Sequence, residues 1–128
     1  MDVYLYRVGR NLNRAYRTCE AFGISRIKLV ECDAKLSGNL FKAEGNVEVI
    51  AAEMPIADGL LAIETYYTEP LGAVDWGKVD ALIVGGETSG LPRKIAADHK
   101  ATIPMVGSIS GLTVEAALAI ALYEWSHH

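Results

Sequence analysis

Residues 81–84 read Ala-Leu-Ile-Val and run straight into Gly85-Gly-Glu-Thr-Ser-Gly90. An apolar run with no polar alternation marks a strand covered on both faces, the usual condition of a strand inside a parallel sheet. Parallel strands need crossovers, and crossovers are usually helices, so this one run narrows the class to α/β. The other segments agree. Val3–Val8, Ile24–Val30, Val47–Ile50, Leu60–Thr65 and Thr102–Met105 are strand-like. Leu12, Ala15, Tyr16, Cys19 and Phe22 recur at helical spacing, between a cap at Asn11 or Asn13 and a stop at Gly23. Met54–Gly59 reads as a short helix, Pro92 opens another to about Asp98, and Val114–Trp125 forms the last. A polar stretch holds Gly38 and Gly45, and Tyr66–Lys78, with Pro70, Gly72 and Gly77, reads as a long connection. The expectation is one domain over residues 1–128, α/β, with a mainly parallel sheet flanked by helices.

Composition removes other classes. Hydrophobic residues make up 51% and charged residues 22%, values of a globular chain and not a disordered one. No apolar run is long enough for a membrane span, and Met1-Asp2 opens no signal peptide. The cysteines, Cys19 and Cys32, are too few for a disulfide framework or a four-cysteine zinc site. His99, His127 and His128 form no ligand spacing with them, so no metal is expected. These features predict a reduced, cytoplasmic protein with no membrane partner.

The net charge is −4, but it is unevenly placed. Residues 1–28 carry six basic residues against two acidic, a local net of +4, and residues 29–128 carry a net of −8. Arg10, Arg14 and Arg17 stand at i, i+4 and i+7, on one helix face, with Arg7 just upstream. Arg10 and Arg14 lack acidic partners three or four residues away, and like charges at that spacing repel. Such a stripe suits either a solvated face or an anionic ligand such as a phosphate backbone.

Two further features bear on function. Between Val114 and Trp125 only Glu115 and Glu124 are charged, and a helix apolar all round must be buried all round. A domain of this size offers one sheet face to cover it, so part of that surface is expected to meet a second copy of the chain. Gly85–Gly90 follows a buried strand, where open α/β sheets bind ligands, yet Leu91-Pro92 replaces the Lys-Ser/Thr of a phosphate-binding P-loop. Gly107-Ser-Ile-Ser-Gly111, before the last helix, has Ile109 at its centre and is no nucleophile elbow.

Read together, three segments resemble the motifs of the SpoU-type RNA ribose methyltransferases of the SPOUT superfamily. The first is Asn11-Leu-Asn-Arg-Ala-Tyr-Arg17-Thr-Cys-Glu-Ala-Phe-Gly23, and the second is Leu82-Ile-Val-Gly85-Gly-Glu87-Thr-Ser-Gly90-Leu-Pro92. The third is Ile103-Pro-Met-Val-Gly107, continuing through Gly111-Leu-Thr-Val114 to Tyr123-Glu124. The resemblance implies a carboxyl-terminal deep trefoil knot, a homodimer with its active site at the interface, and S-adenosyl-L-methionine bent in the knot loops. It implies that Gly85, Ile103, Met105, Gly111 and Leu112 line the cofactor pocket, with Ile63 a further contact. Arg17 matches the residue beside the ribose 2′-hydroxyl, Asn11 fixes loop and substrate, and Glu87 holds Arg17 or the neighbouring asparagine. Arg7, Arg10 and Arg14 become RNA contacts. With no second domain to grip RNA, a compact element such as a tRNA loop is the expected substrate, ahead of rRNA. Two departures stand out: Gly111 and Thr113 replace the family's serine and asparagine, and Asn13 and Arg14 replace small residues. The first motivates an alternative, a catalytically silent RNA-binding protein of the same fold.

Overall fold

The computed structural model describes residues 1–33, 47–55, 57–109 and 111–128. The polar stretch holding Gly38 and Gly45, and Ser110 of the second glycine segment, lie outside them. The elements in chain order are β1 (Asp2–Tyr6), α1 (Leu12–Ala21), β2 (Arg26–Val30), β3 (Glu48–Ala52), β4 (Ala57–Ile63), β5 (Ala81–Gly85), β6 (Ala97–Ala101) and α2 (Val114–Ser126). All strand pairs are parallel, in the order β3-β2-β1-β5-β4-β6. The expected α/β class with a parallel sheet is what the chain adopts.

The run at 81–84 is covered on both sides, as its lack of alternation demands. Leu82 and Val84 join the larger core with Val3, Leu5, Leu61 and Ile63, while Ala81 and Ile83 join the opposite core with Tyr4, Tyr6, Leu60 and Ala62. Both described α-helices pack on the first side, α1 through Leu12, Ala15, Tyr16 and Cys19, α2 through Val114, Leu118, Ala121 and Leu122. Leu91 and Ile95 close the second side, with partly buried Met54 and Tyr67. α1 stops where expected: Gly23 takes φ +74°, and the Ile24 N–H donates back to the Cys19 carbonyl at 2.9 Å. No described helix is long and apolar enough to cross a membrane.

Three expectations are corrected. The described residues of Met54–Gly59 form no helix, because β4 begins at Ala57 and pairs with β5 and β6; Gly59, at φ +73°, sits within the register shift against β6. Pro92 opens no helix to Asp98. Residues 97–101 instead form edge strand β6, whose burial alternates along the strand before closing on buried Ala101. The last strand therefore precedes its predicted position. Thr102 makes only an isolated bridge to Pro70, and Ile103–Met105 leave the sheet. In the first two cases pairing with a distant strand overrides local preference.

The order places the site. From β1 the sheet grows outward through β2 and β3 on one side and through β5, β4 and β6 on the other. The boundary between β1 and β5 is a topological switch point, and ligands of open α/β sheets bind beyond the carboxyl ends of strands there. Tyr6 pairs with Gly85 at that edge, so Arg7 and Gly86 emerge side by side.

Candidate active site

Two hollows open beyond the carboxyl ends of the central strands. A cleft of about 440 Å³ is bounded by Ile63–Tyr66 after β4, Val84–Leu91 with Arg93 after β5, Thr102, Ile103 and Met105 after β6, and Gly111, Leu112, Val114 and Ala117 at α2. A groove of about 640 Å³ is bounded by Arg7, Gly9, Arg10, Asn11, Glu87 and Thr88. The two share Glu87 and Thr88. All six residues expected to line a cofactor pocket, Ile63, Gly85, Ile103, Met105, Gly111 and Leu112, border the cleft.

The glycine loop is held by contacts absent from the sequence reading. Glu64, the first residue past β4, accepts the Leu91 N–H through Oε1 at 2.7 Å and the Thr65 N–H through Oε2 at 3.0 Å. The Tyr66 hydroxyl donates to the Leu91 carbonyl at 3.2 Å, and the Arg93 guanidinium lies 3.9 Å above the Tyr66 ring. Gly90 takes φ +63° against the Glu64 carboxylate. Glu64, Tyr66 and Arg93 belong to no motif. The rule that ligands sit just past strand ends points to residues 64–66 once β4 is placed.

Gly85 is glycine for a reason other than ligand approach. A Cβ there would lie 2.4 Å from the Gly90 carbonyl carbon and 2.7 Å from the Leu91 nitrogen, so the loop folds back over its own strand. Gly86 meets the Arg7 carbonyl as closely, which locks the β1 exit against the β5 exit. At Gly111 an added Cβ would touch only Thr65 Cγ2, at an ordinary 3.7 Å.

Asn11 occupies the N-cap position of α1 but makes no side-chain cap. Its amide donates to Glu87 Oε1 at 2.5 Å, so Glu87 engages the asparagine, and no bond joins it to Arg17. The arginines also separate. Arg7, at φ +51°, pairs with Glu31 at 2.9 Å, which raises its already high pKa, chiefly through that hydrogen bond. Arg14 reaches Glu115 of α2 at 3.5 Å. Arg14 of the stripe and Arg7 just upstream are thus compensated by acidic residues distant in sequence, which local spacing does not reveal. Arg10 and Arg17 are exposed and without ion-pair partners among the described residues. Arg10 borders the groove; Arg14 and Arg17 border neither hollow of their own chain. Among the described residues, no group of three or more His, Cys, Asp or Glu side chains could hold a metal ion.

A cleft of small-molecule size shares a wall with a groove bordered by Arg7 and Arg10 at the switch point of a parallel sheet, the place where open α/β proteins bind ligands. The chain belongs to the SpoU rRNA Methylase family, whose profile matches residues 3–123. It resembles an AdoMet-bound rRNA methyltransferase from Sinorhizobium meliloti at 27% identity and TM-score 0.83, over 99% of this chain and 56% of that one. It also resembles the A. aeolicus TrmH/SpoU tRNA modifying enzyme at 24% identity and TM-score 0.77, over 98% and 73%. A third structure, concerned with 2-OH methylation of C/U34 on tRNA, matches at 22% identity and TM-score 0.79, over 97% and 92%. The chain thus spans little more than half the length of the S. meliloti protein. No curated protein sequence matches it.

Proposed function

We propose that this chain is an S-adenosyl-L-methionine-dependent RNA methyltransferase that modifies a ribose 2′-hydroxyl, acting on tRNA as a homodimer. The observation that carries the reading is the shared wall: a nucleotide whose phosphates lie against Arg7 and Arg10 is brought to the cleft at Glu87 and Thr88. The cleft fits the cofactor. Its volume falls within the roughly 300–1,000 Å³ of small-molecule sites, and apolar Ile63, Ile103, Met105 and Leu112 alternate along it with loop backbone and charged groups. The tRNA assignment is supported by the A. aeolicus tRNA modifying enzyme and by the tRNA 2-OH methylation structure.

When bound, the cofactor supplies an electrophilic methyl group. The protein's work is to position the ribose oxygen and ease the loss of its proton. Asn11, tethered by Glu87, fixes the substrate loop at the junction of groove and cleft. Arg17 is exposed and lines neither hollow of its own chain, which accords with its serving the cleft of the second subunit. An arginine keeps its proton, so Arg17 orients the 2′-oxygen and stabilises its developing charge, and the proton leaves to a substrate phosphate or water. Exposed Ile120 and Tyr123 on α2 supply apolar surface for the subunit contact. The departures behind the silent alternative do not obstruct the site: Gly111 leaves the cleft open, and Thr113 spends no hydroxyl on capping α2.

Single-turnover methyl transfer at saturating RNA tests the assignment. Arg17→Ala is expected to lower the rate by about 10²–10³-fold with cofactor affinity unchanged. Arg14→Ala should weaken RNA binding and its salt dependence while sparing the chemical step. Parental rates from Arg17→Ala would refute the role given to Arg17.

A further inference from the structure

We infer that Arg93 seats the carboxylate at the amino-acid end of the cofactor, an assignment that rests on the reading of the cleft given above. Three charged side chains line that cleft: Glu64, Glu87 and Arg93. Both carboxylates are engaged, Glu64 by the Leu91 and Thr65 amides and Glu87 by Asn11. Arg93 is the lone cation. Among the described residues it has neither an ion-pair partner nor a hydrogen-bond acceptor, and its contact is the face of Tyr66. That ring is itself fixed by its hydroxyl bond to the Leu91 carbonyl, so the guanidinium rests on an anchored platform. Stacking on a ring leaves the N–H fork of an arginine available to a carboxylate, which it can meet with two parallel hydrogen bonds.

The charges of ligand and cleft are complementary. S-adenosylmethionine carries an ammonium, a sulfonium and one carboxylate; the cleft presents two carboxylates and one guanidinium. The ligand's one anion therefore has one cation to meet. Cofactor and S-adenosylhomocysteine share that carboxylate, whereas 5′-methylthioadenosine keeps the adenosine and thioether and lacks it.

Calorimetric titration of the parent, Arg93→Met and Arg93→Lys with both thioethers tests the inference. Arg93 is exposed, so both variants should melt with the parent. Arg93→Met should weaken S-adenosylhomocysteine roughly ten- to hundredfold, the usual range for a charge-assisted contact, and change methylthioadenosine by less than about twofold. Arg93→Lys should recover part of the loss, because it keeps the charge but not the fork. An equal loss on both ligands would place Arg93 against the adenosine and overturn the assignment, as would unchanged S-adenosylhomocysteine affinity. A parent protein that binds neither thioether would instead overturn the cofactor reading itself, and the role of Arg93 with it.

Discussion

Replacing Gly85 with alanine probes the crossing that shapes the cleft. The added Cβ would lie 2.4, 2.7 and 2.8 Å from the Gly90 carbonyl carbon, the Leu91 nitrogen and the Gly90 oxygen. All three atoms are backbone, so no side-chain rotation relieves the clash. Ordinary contact begins near 3.4 Å, and the 90–91 segment must retreat by about 1 Å. Retreat stretches the 2.7 Å bond from the Leu91 N–H to Glu64 and withdraws Leu91, 4% exposed, from the second core. Overpacking of this kind costs about 1–3 kcal/mol, and loss of a hydrogen bond to a charged group about 1.5–3 kcal/mol. With both in force the loss is roughly 2.5–6 kcal/mol. For a chain of 128 residues, melting shifts by about 4 °C per kcal/mol, so a fall of roughly 10–24 °C is expected. Gly72→Ala is the control: its Cβ would meet nothing within 4 Å, and its effect should stay within about 0.5 kcal/mol. Thermal unfolding followed by circular dichroism reads both. A Gly85→Ala protein that melts with Gly72→Ala would refute the reasoning.

The proposed subunit contact and a buried thiol offer further tests. Ile120 is 39% exposed on the single chain, so Ile120→Arg should leave the fold intact yet raise the dimer dissociation constant roughly a hundredfold or more. Light scattering reads this, and a parent protein monomeric at micromolar concentration would contradict the dimer. Burial pushes the Cys19 thiol from its ordinary value near 9 up to about 12. A raised folded-state pKa means the unfolded chain releases its proton first. The stability is therefore full below pH 9 and is lost as pH rises toward 12, by about 1.4 kcal/mol per pH unit. Under reducing conditions, Cys19→Ala should lose its share of the slope in urea titrations, while the alkaline sensitivity from Tyr67 and Cys32, both raised chiefly by burial, and from Lys28, raised chiefly by its bond to Tyr4, persists. An unchanged slope would show that Cys19 is not its source.

What could be read from the chain alone follows the range of the forces involved. The run at 81–84 and the Leu12-Ala15-Tyr16-Cys19 stripe carry their burial in local periodicity, and both are placed correctly. β6 was hidden because Asp98, His99 and Lys100 read as polar surface; only β4, some forty residues earlier, makes them a strand. The motif residues lining the cleft were legible as residues, but their partners were not. Asn11 and Glu87 meet across 76 positions, and Leu91 and Glu64 across 27. Gly85 shows the same limit, since its need for a bare backbone arises from a chain crossing that spacing does not reveal.

Methyl-labelled S-adenosylmethionine incubated with the protein and unmodified tRNA, followed by alkaline hydrolysis of the RNA, tests the central claim most directly. A 2′-O-methyl group blocks attack of that oxygen on the adjacent phosphodiester. Label is therefore predicted in an alkali-stable dinucleotide, and Arg17→Ala should abolish most of it. Label recovered in a mononucleotide, as base methylation would give, or cofactor binding with no transfer to any RNA, would contradict the account.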